Sequence, residues 1–295
     1  MYEIKKVLNH NVVIVHDSGK QSEYLIMDKG IGFGKKPGET AVPGGKASVY
    51  SLQKKNERGN AREMAEEIPA VYLEIANEVL DQAEEAFGKI DRNILFPMAD
   101  HIAFAVKRVK NNEQISNPLT DDIRILFHME YKTAGCIMGI LKQKMGILID
   151  DDEVGYIALH IHSAIVDEKV SHAMQLARAV RECISYVENE VGKPINIMSL
   201  SYNRLMNHIR YMVARAISGE KLKVNMNDYM KVRFPQSFGM AETVCKQSER
   251  NLKCTLSDVE IGYLAMHIER VASDEQDEEY TVTVKNRPNH LQLRL

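Results

Sequence analysis

Apolar and polar positions follow two different periods along this chain. Through the first 55 residues they alternate: Tyr2 to Leu8, Val12 to His16, Glu23 to Met27 and Lys46 to Leu52 are short runs rich in Val, Ile, Leu and Tyr. That period and composition predict β-strands. Asp17-Ser18-Gly19-Lys20 supplies hairpin-turn chemistry, and Lys36-Pro37-Gly38 a second break. The expectation is a small four-stranded antiparallel sheet, whose thin core would gain from burying one face against a second copy. Gln53 to Asn60 holds no apolar residue and is expected to be a linker.

Beyond it the apolar residues recur at helical spacing, as in Val71, Ile75, Val79 and Leu80, or Leu176, Val180, Ile184 and Val187. The chain also matches itself. Asp100-His101-Ile102-Ala103-Phe104-Ala105-Val106-Lys107-Arg108 aligns with Asn207-His208-Ile209-Arg210-Tyr211-Met212-Val213-Ala214-Arg215, and Glu153-Val154-Gly155-Tyr156-Ile157-Ala158-Leu159-His160-Ile161 with Glu260-Ile261-Gly262-Tyr263-Leu264-Ala265-Met266-His267-Ile268. Both blocks share an offset of 107, which marks an internal duplication. The expected fold class is therefore α+β and multidomain. A four-stranded antiparallel β-domain over 1–58 precedes two homologous all-α bundles of about five helices each, over 61–170 and 171–275. The tail over 276–295 lacks an apolar period and is expected to be partly disordered.

Composition narrows the class. With 295 residues, 44% apolar and 27% charged, the chain is long enough for several cores. Its four cysteines, Cys136, Cys183, Cys245 and Cys254, form no C-x-x-C pair, which speaks against a disulfide framework or a zinc knuckle and fits a reducing cytosol. The first apolar run is broken by Asn9, His10 and Asn11, so it is no secretory segment, and no stretch approaches the roughly 18 apolar residues of a bilayer span. A cytoplasmic protein without membrane insertion is expected. The net charge of -3 conceals an asymmetry: residues 1–58 hold ten Lys/Arg against six Asp/Glu, leaving -7 for the remainder. A basic head on an acidic body points to a polyanionic partner for the head.

Chemistry is carried first by histidines. His101 and His160 in the first repeat, and His208 and His267 in the second, lie 59 positions apart in each copy, so facing helices would bring each pair together. His160 is expected at the edge of its helix's apolar stripe, within reach of a partner. Neutral imidazole is a competent nucleophile near pH 7, and phosphorylation would add about -1.5 to -2 of charge. The alternative is four structural histidines satisfied by hydrogen bonds. A metal site at His160-Ile161-His162 fails on geometry, because i and i+2 point about 200° apart on a helix, and the second copy has Glu269 in place of His162.

The run Gly30-Ile31-Gly32-Phe33-Gly34-Lys35-Lys36 fails the spacing of a P-loop and of Gly-x-Gly-x-x-Gly. Small residues there would let a ligand approach the backbone, Phe33 offers a stacking face, and Lys29, Lys35 and Lys36 offer phosphate contacts. Asn9 and Asn11, between the first two strands, are placed to read base edges. A plain glycine-rich hairpin with exposed lysines is the alternative.

These residues resemble the BglG/SacY/LicT family of transcription antiterminators over nearly the whole chain. Ile4-Lys5-Lys6-Val7-Leu8-Asn9-His10-Asn11-Val12 and Lys29-Gly30-Ile31-Gly32-Phe33-Gly34-Lys35-Lys36 look like its co-antiterminator RNA-binding domain. Asp100-His101-Ile102, Asn117-Pro118-Leu119 and Gly155-Tyr156-Ile157-Ala158-Leu159-His160-Ile161 look like its first phosphotransferase-system regulation domain, and the copy with His208 and His267 like its second. Gly30-Ile31-Gly32-Phe33-Gly34 and Leu159-His160-Ile161-His162-Ser163-Ala164 are most similar to the glucose-responsive branch. The resemblance implies a homodimer whose head grips an RNA hairpin in a nascent leader, using Lys5, Asn9, Asn11, Lys29, Gly30, Phe33, Lys35 and Lys36. It implies phosphoryl transfer from a sugar permease's EIIB component to His101 or His160, and from HPr to His208 or His267, with no cofactor, metal or turnover. His10 stands where the family commonly has Asn, Asp28 where Gly is usual, and Phe127-His128-Met129 where Phe-Tyr-Pro is more frequent; Ala41 to Lys46 is also atypical. The competing classes are a DNA-binding activator with the same regulatory domains, a metal-dependent hydrolase, and a sensor that binds only proteins.

Overall fold

The computed structural model describes residues 1–284 apart from 54, 57, 58, 114, 167, 168, 197, 198 and 253. It divides into two compact units, Met1–Met174 and Gln175–Leu295.

The first unit opens with strands β1 (Tyr2–Val7), β2 (Val12–Asp17), β3 (Ser22–Met27), β4 (Thr40–Ala41) and β5 (Ser48–Ser51). They form one antiparallel sheet in the order β4-β1-β2-β3-β5. The sequence predicts four strands; β4 is the fifth, and with two residues it is too short to show a period of two. Pairing of β1 with β2 shifts register between Ile4 and Lys6, so Lys5 occupies a bulge. One sheet face gathers Ile4, Val13, Val15 and Ile26 with Ile31 and Ala41 into a core. The other carries the cross-strand row Ile14, Leu25 and Tyr50, all buried. That burial uses helices of the same chain: Tyr50 meets Phe96 edge-on at 6.3 Å and its hydroxyl donates to Asn77 Oδ1.

The expected linker is structured in part. β6 (Lys55–Asn56) and β7 (Gly59–Asn60) pair antiparallel, which satisfies their backbone groups without any apolar side chain. Glu57 and Arg58, and with Arg58 the expected end of the head, lie outside the described residues. Asn60 then caps α1 (Ala61–Glu67), its side chain accepting from the Arg62 amide.

Helices α2 (Ala70–Phe87), α3 (Leu95–Lys110), α4 (Thr120–Leu126), α5 (His128–Ala134), α6 (Cys136–Met145) and α7 (Asp151–Val166) complete the unit. α7 is its central helix, packed by α2, α3, α4 and α5. In the second unit, α9 (Leu200–Ser218), α10 (Asn227–Arg233) and α11 (Pro235–Leu252) all pack on α12 (Val259–Val284), and α8 (Val170–Val191) contains the boundary between units. α12 carries helix well into the expected tail; residues 285–295 of that tail lie outside the described residues. No helix among the described residues is long and apolar enough to cross a membrane, and all four cysteines are free thiols.

Candidate functional site

Packing of α3 against α7 brings His101 and His160 together, ring centroids 5.7 Å apart. α9 against α12 does the same for His208 and His267, at 4.7 Å and nearly stacked. The structure corrects one expectation: His160 is no edge residue but only 4% exposed. α7 is covered from several sides, so a position at the rim of one apolar stripe lies under a neighbouring helix. His101 and His208 are likewise buried, at 7% and 9%.

Each pair is joined by a carboxylate and a guanidinium. In the first unit His101 Nε2 lies 2.9 Å from Glu153 Oε2, while Arg108 donates through Nε and Nη2 to Glu153 Oε1 at 2.9 and 2.6 Å. Glu153 lies in the first turn of α7, where its amide donates to Asp150 Oδ1 and the helix N-terminus favours an anion. Burial opposes that charge, but the hydrogen bonds from His101 and Arg108 outweigh it and hold the carboxyl below the usual carboxylate range. The Tyr156 ring lies 5.2 Å from that of His101.

In the second unit the same residue types stand 107 positions later as His208, Arg215, Glu260, Tyr263 and His267, but in another arrangement. Arg215 grips both oxygens of Glu260, at 2.6 and 2.7 Å. His208 Nε2 is left 3.8 Å from Glu260 Oε2, beyond hydrogen-bond range, and is buried without a partner. Burial, then the charges of His267 and Arg215, push the His208 pKa down to about 3. Burial, then Arg270 and Arg204, push that of His267 down to about 4. The repeat blocks contain these Glu and Arg residues; the shared offset was the signal for them, although the histidines drew the attention.

His162 faces away from this cluster: its Nδ1 pairs with Glu130 Oε1 at 2.9 Å, and its ring packs on Phe127 at 4.3 Å. The second copy replaces that pair by Ser237 donating to Glu269. No group of three or more His, Cys, Asp or Glu side chains suited to a metal ion occurs among the described residues.

The loops expected to meet RNA lock together at one end of the sheet. The Asn11 amide donates to Asn9 Oδ1 at 2.8 Å, the Gly30 amide to Asn11 Oδ1 at 3.0 Å, and the Gly32 amide to the His10 carbonyl at 2.9 Å. Gly30 takes φ +76°, in the left-handed region. Glycine at 32 has a structural reason within the chain: a Cβ there would sit 2.3 Å from the Asn9 carbonyl oxygen, so the turn itself requires the close approach. Phe33 is 70% exposed and packs edge-on against His10 at 5.2 Å, which gives His10 a task. Asp28 accepts from the Lys29 and Gly44 amides, tying the glycine loop to the atypical Pro43-Gly44-Gly45 segment. Lys29, Lys35 and Lys36 are exposed, Lys35 lying 3.5 Å from Glu39. Lys5 stands on β1, bonded to Glu3 at 2.9 Å. Sequence gave no hint of Glu74, on α2: the Nδ2 groups of Asn9 and Asn11 both donate to its Oε1, at 3.0 and 3.2 Å.

Comparison with known proteins gives these sites a context. The CAT RNA binding domain model matches residues 2–59, and the PRD domain model matches twice, over 73–164 and 181–271. Over 280 residues the chain is 26% identical to a beta-glucoside operon antiterminator of Dickeya chrysanthemi, covering 94% of this chain and 99% of that one. It is 29% identical to the GlcA/glcB genes antiterminator of Staphylococcus carnosus (90% and 94% covered) and 27% identical to transcription antiterminator LicT of Bacillus subtilis (91% and 98%). Among solved structures, a CAT-PRDI portion of GlcT is 30% identical, with a TM-score of 0.48, over 56% of this chain and 98% of its own. The chain belongs to the PRD family, as a member with two PRD domains behind a CAT RNA-binding domain.

Proposed function

We propose that the chain is a transcription antiterminator of a sugar-utilisation or sugar-transport operon. Residues 1–58, as a dimer, grip an imperfect hairpin in a nascent leader transcript and hold it against an overlapping terminator. Residues 61–170 and 171–275 report sugar flux by carrying phosphate on imidazole, from a permease EIIB component at His101 or His160 and from HPr at His208 or His267. The protein works in the cytoplasm, where transcripts are made, and has no turnover of its own. The observation that carries this reading is the doubled His–His–Glu–Arg cluster, packed between helices in each PRD domain of a chain that also carries a CAT domain. A sheet at the N-terminus, where a DNA-binding relative would need a recognition helix, supports RNA over DNA as target.

A gel shift of the full chain with a leader hairpin tests the head. Phe33 is exposed and meets His10 edge-on, which leaves a ring face open, so Phe33→Ala should remove a base-stacking platform and weaken binding about tenfold. Unchanged binding by that variant would remove the RNA-contact assignment. Incubating the chain with a complete phosphotransferase relay tests the sensors, and absence of label on all four histidines would end the proposal for them.

A further inference from the structure

The two His–Glu–Arg clusters are built from the same residues and set differently, and the difference is chemical. We infer that Glu153 is a positioning residue that makes His101 an Nδ1 phosphoacceptor, while Arg215 holds Glu260 back from His208, leaving it the slower acceptor. This rests on the phosphoacceptor reading above and adds the reacting atom and the order of reaction.

An ionised carboxylate only accepts hydrogen bonds. With Glu153 Oε2 at 2.9 Å from His101 Nε2, the imidazole proton resides on Nε2 and the lone pair on Nδ1. Arg108 fixes the other oxygen, Oε1, through two donors, so the carboxylate is oriented before any donor arrives. In the transfer step the Nδ1 lone pair attacks phosphorus, and an N–P bond forms as the bond from phosphorus to the donor's nitrogen or sulfur breaks. The breaking bond's electron pair leaves with the donor. The ring, still protonated at Nε2, becomes a cation, and Glu153 is the counter-charge already in contact with it.

His208 lacks each of these aids. Arg215 engages both Glu260 oxygens, and the nearer one is 3.8 Å from Nε2. The proton on this ring is not assigned to one nitrogen by a hydrogen bond, and a cation formed there meets Glu260 only across 3.8 Å, with that carboxylate already gripped by Arg215. For Glu260 to serve His208 as Glu153 serves His101, carboxylate or ring must shift to close the 3.8 Å gap, and the Arg215 grip on both oxygens opposes that shift.

The experiment is labelling of the full-length protein with phosphoramidate, a small donor that needs no partner, followed by peptide mapping and phosphorus NMR to distinguish the two phosphohistidine isomers. His101 should label first and at Nδ1, ahead of His208 by about tenfold or more. Glu153→Gln, whose amide no longer demands a proton on Nε2, should slow His101 by about tenfold and let the Nε2 isomer appear. Arg215→Lys, which leaves the cluster's charge in place but cannot grip both oxygens, should speed His208; that variant tests the idea even if Glu153→Gln folds poorly. Label on His101 at Nε2 in the unaltered protein, or an unchanged isomer and rate in Glu153→Gln, or no gain at His208 in Arg215→Lys, would overturn the inference while leaving the phosphoacceptor reading intact. Absence of label on every histidine, from phosphoramidate and from the protein relay alike, would overturn both.

Discussion

At the residue scale the head is held by contacts that only particular side chains tolerate. Gly32 lies where any Cβ would fall 2.3 Å from the backbone oxygen of Asn9, and backbone cannot swing aside as a flexible side chain would. Gly32→Ala should therefore force the β1–β2 turn and the glycine loop apart, costing about 1–3 kcal/mol. Hydrogen exchange of the amides in residues 8–13 and 28–34 should show faster opening in that variant, and native protection would refute the packing argument. The neighbouring departures from family pattern resolve into local chemistry too. Asp28 spends its carboxylate on two backbone amides, and His10 supports Phe33 from the edge. That Asn9, Asn11 and Phe33 lie in loops beside the strands was legible from the sequence pattern. The partners of Asn9 and Asn11 were not, because Glu74 lies more than sixty residues away on a helix whose pattern speaks only of its apolar face.

At the scale of elements, α9 and α12 pack two uncharged imidazoles against each other, and this makes the second unit sensitive to acid. The folded pKa values of His208 and His267, about 3 and about 4, lie below the ordinary value near 6.5. Below pH 6.5 the unfolded chain binds protons that the folded one refuses, so their stabilising contribution is full above that pH and drains away as pH falls toward 4 and then 3. For His208 the slope reaches about 1.4 kcal/mol per pH unit within that window. Urea unfolding of the full chain, followed by exchange in α9 and α12, should give a clearly lower midpoint at pH 5 than at pH 7. His208→Gln should flatten that difference, and an equal pH response in the variant would rule His208 out as the source. The repeat at 107 positions made the pairing of α3 with α7 and α9 with α12 legible, since both histidine blocks recur with one spacing. Burial of His160 was not legible, because a stripe on one helix does not reveal how many neighbours surround it. The strands at Thr40–Ala41, Lys55–Asn56 and Gly59–Asn60 escaped for a related reason: they are held by backbone pairing, which leaves no pattern in side chains.

At the scale of the whole molecule, the head and the first PRD domain fall within one compact unit, Met1–Met174, and what joins them bears on RNA access. Tyr50 is shared with Asn77 and Arg92, Arg62 pairs with Glu23, and Lys6 lies 3.7 Å from Glu66. Glu74 differs from these ties because of what it occupies: the amide donors of Asn9 and Asn11, the two groups expected to face the hairpin, both end on one of its oxygens. A carboxylate oxygen satisfies those donors as a phosphate or base acceptor would, and its charge repels the RNA backbone as well. With this contact closed, RNA must displace Glu74; with it open, the amides are free and their carbonyl oxygens still brace the loop through Asn11 and Gly30. Full-length Glu74→Ala should therefore bind a leader hairpin about tenfold more tightly than the parent, given about 1–2 kcal/mol for two partly exposed bonds to a carboxylate. Removing an acidic side chain anywhere near the loop also favours RNA through long-range charge, an effect that salt screens. Glu78→Ala, on the same helix but paired with Lys144, serves as the control for it. A gain specific to Glu74→Ala and persisting at high salt marks competition for the amides, whereas equal gains in both variants that vanish with salt would reduce the contact to surface charge.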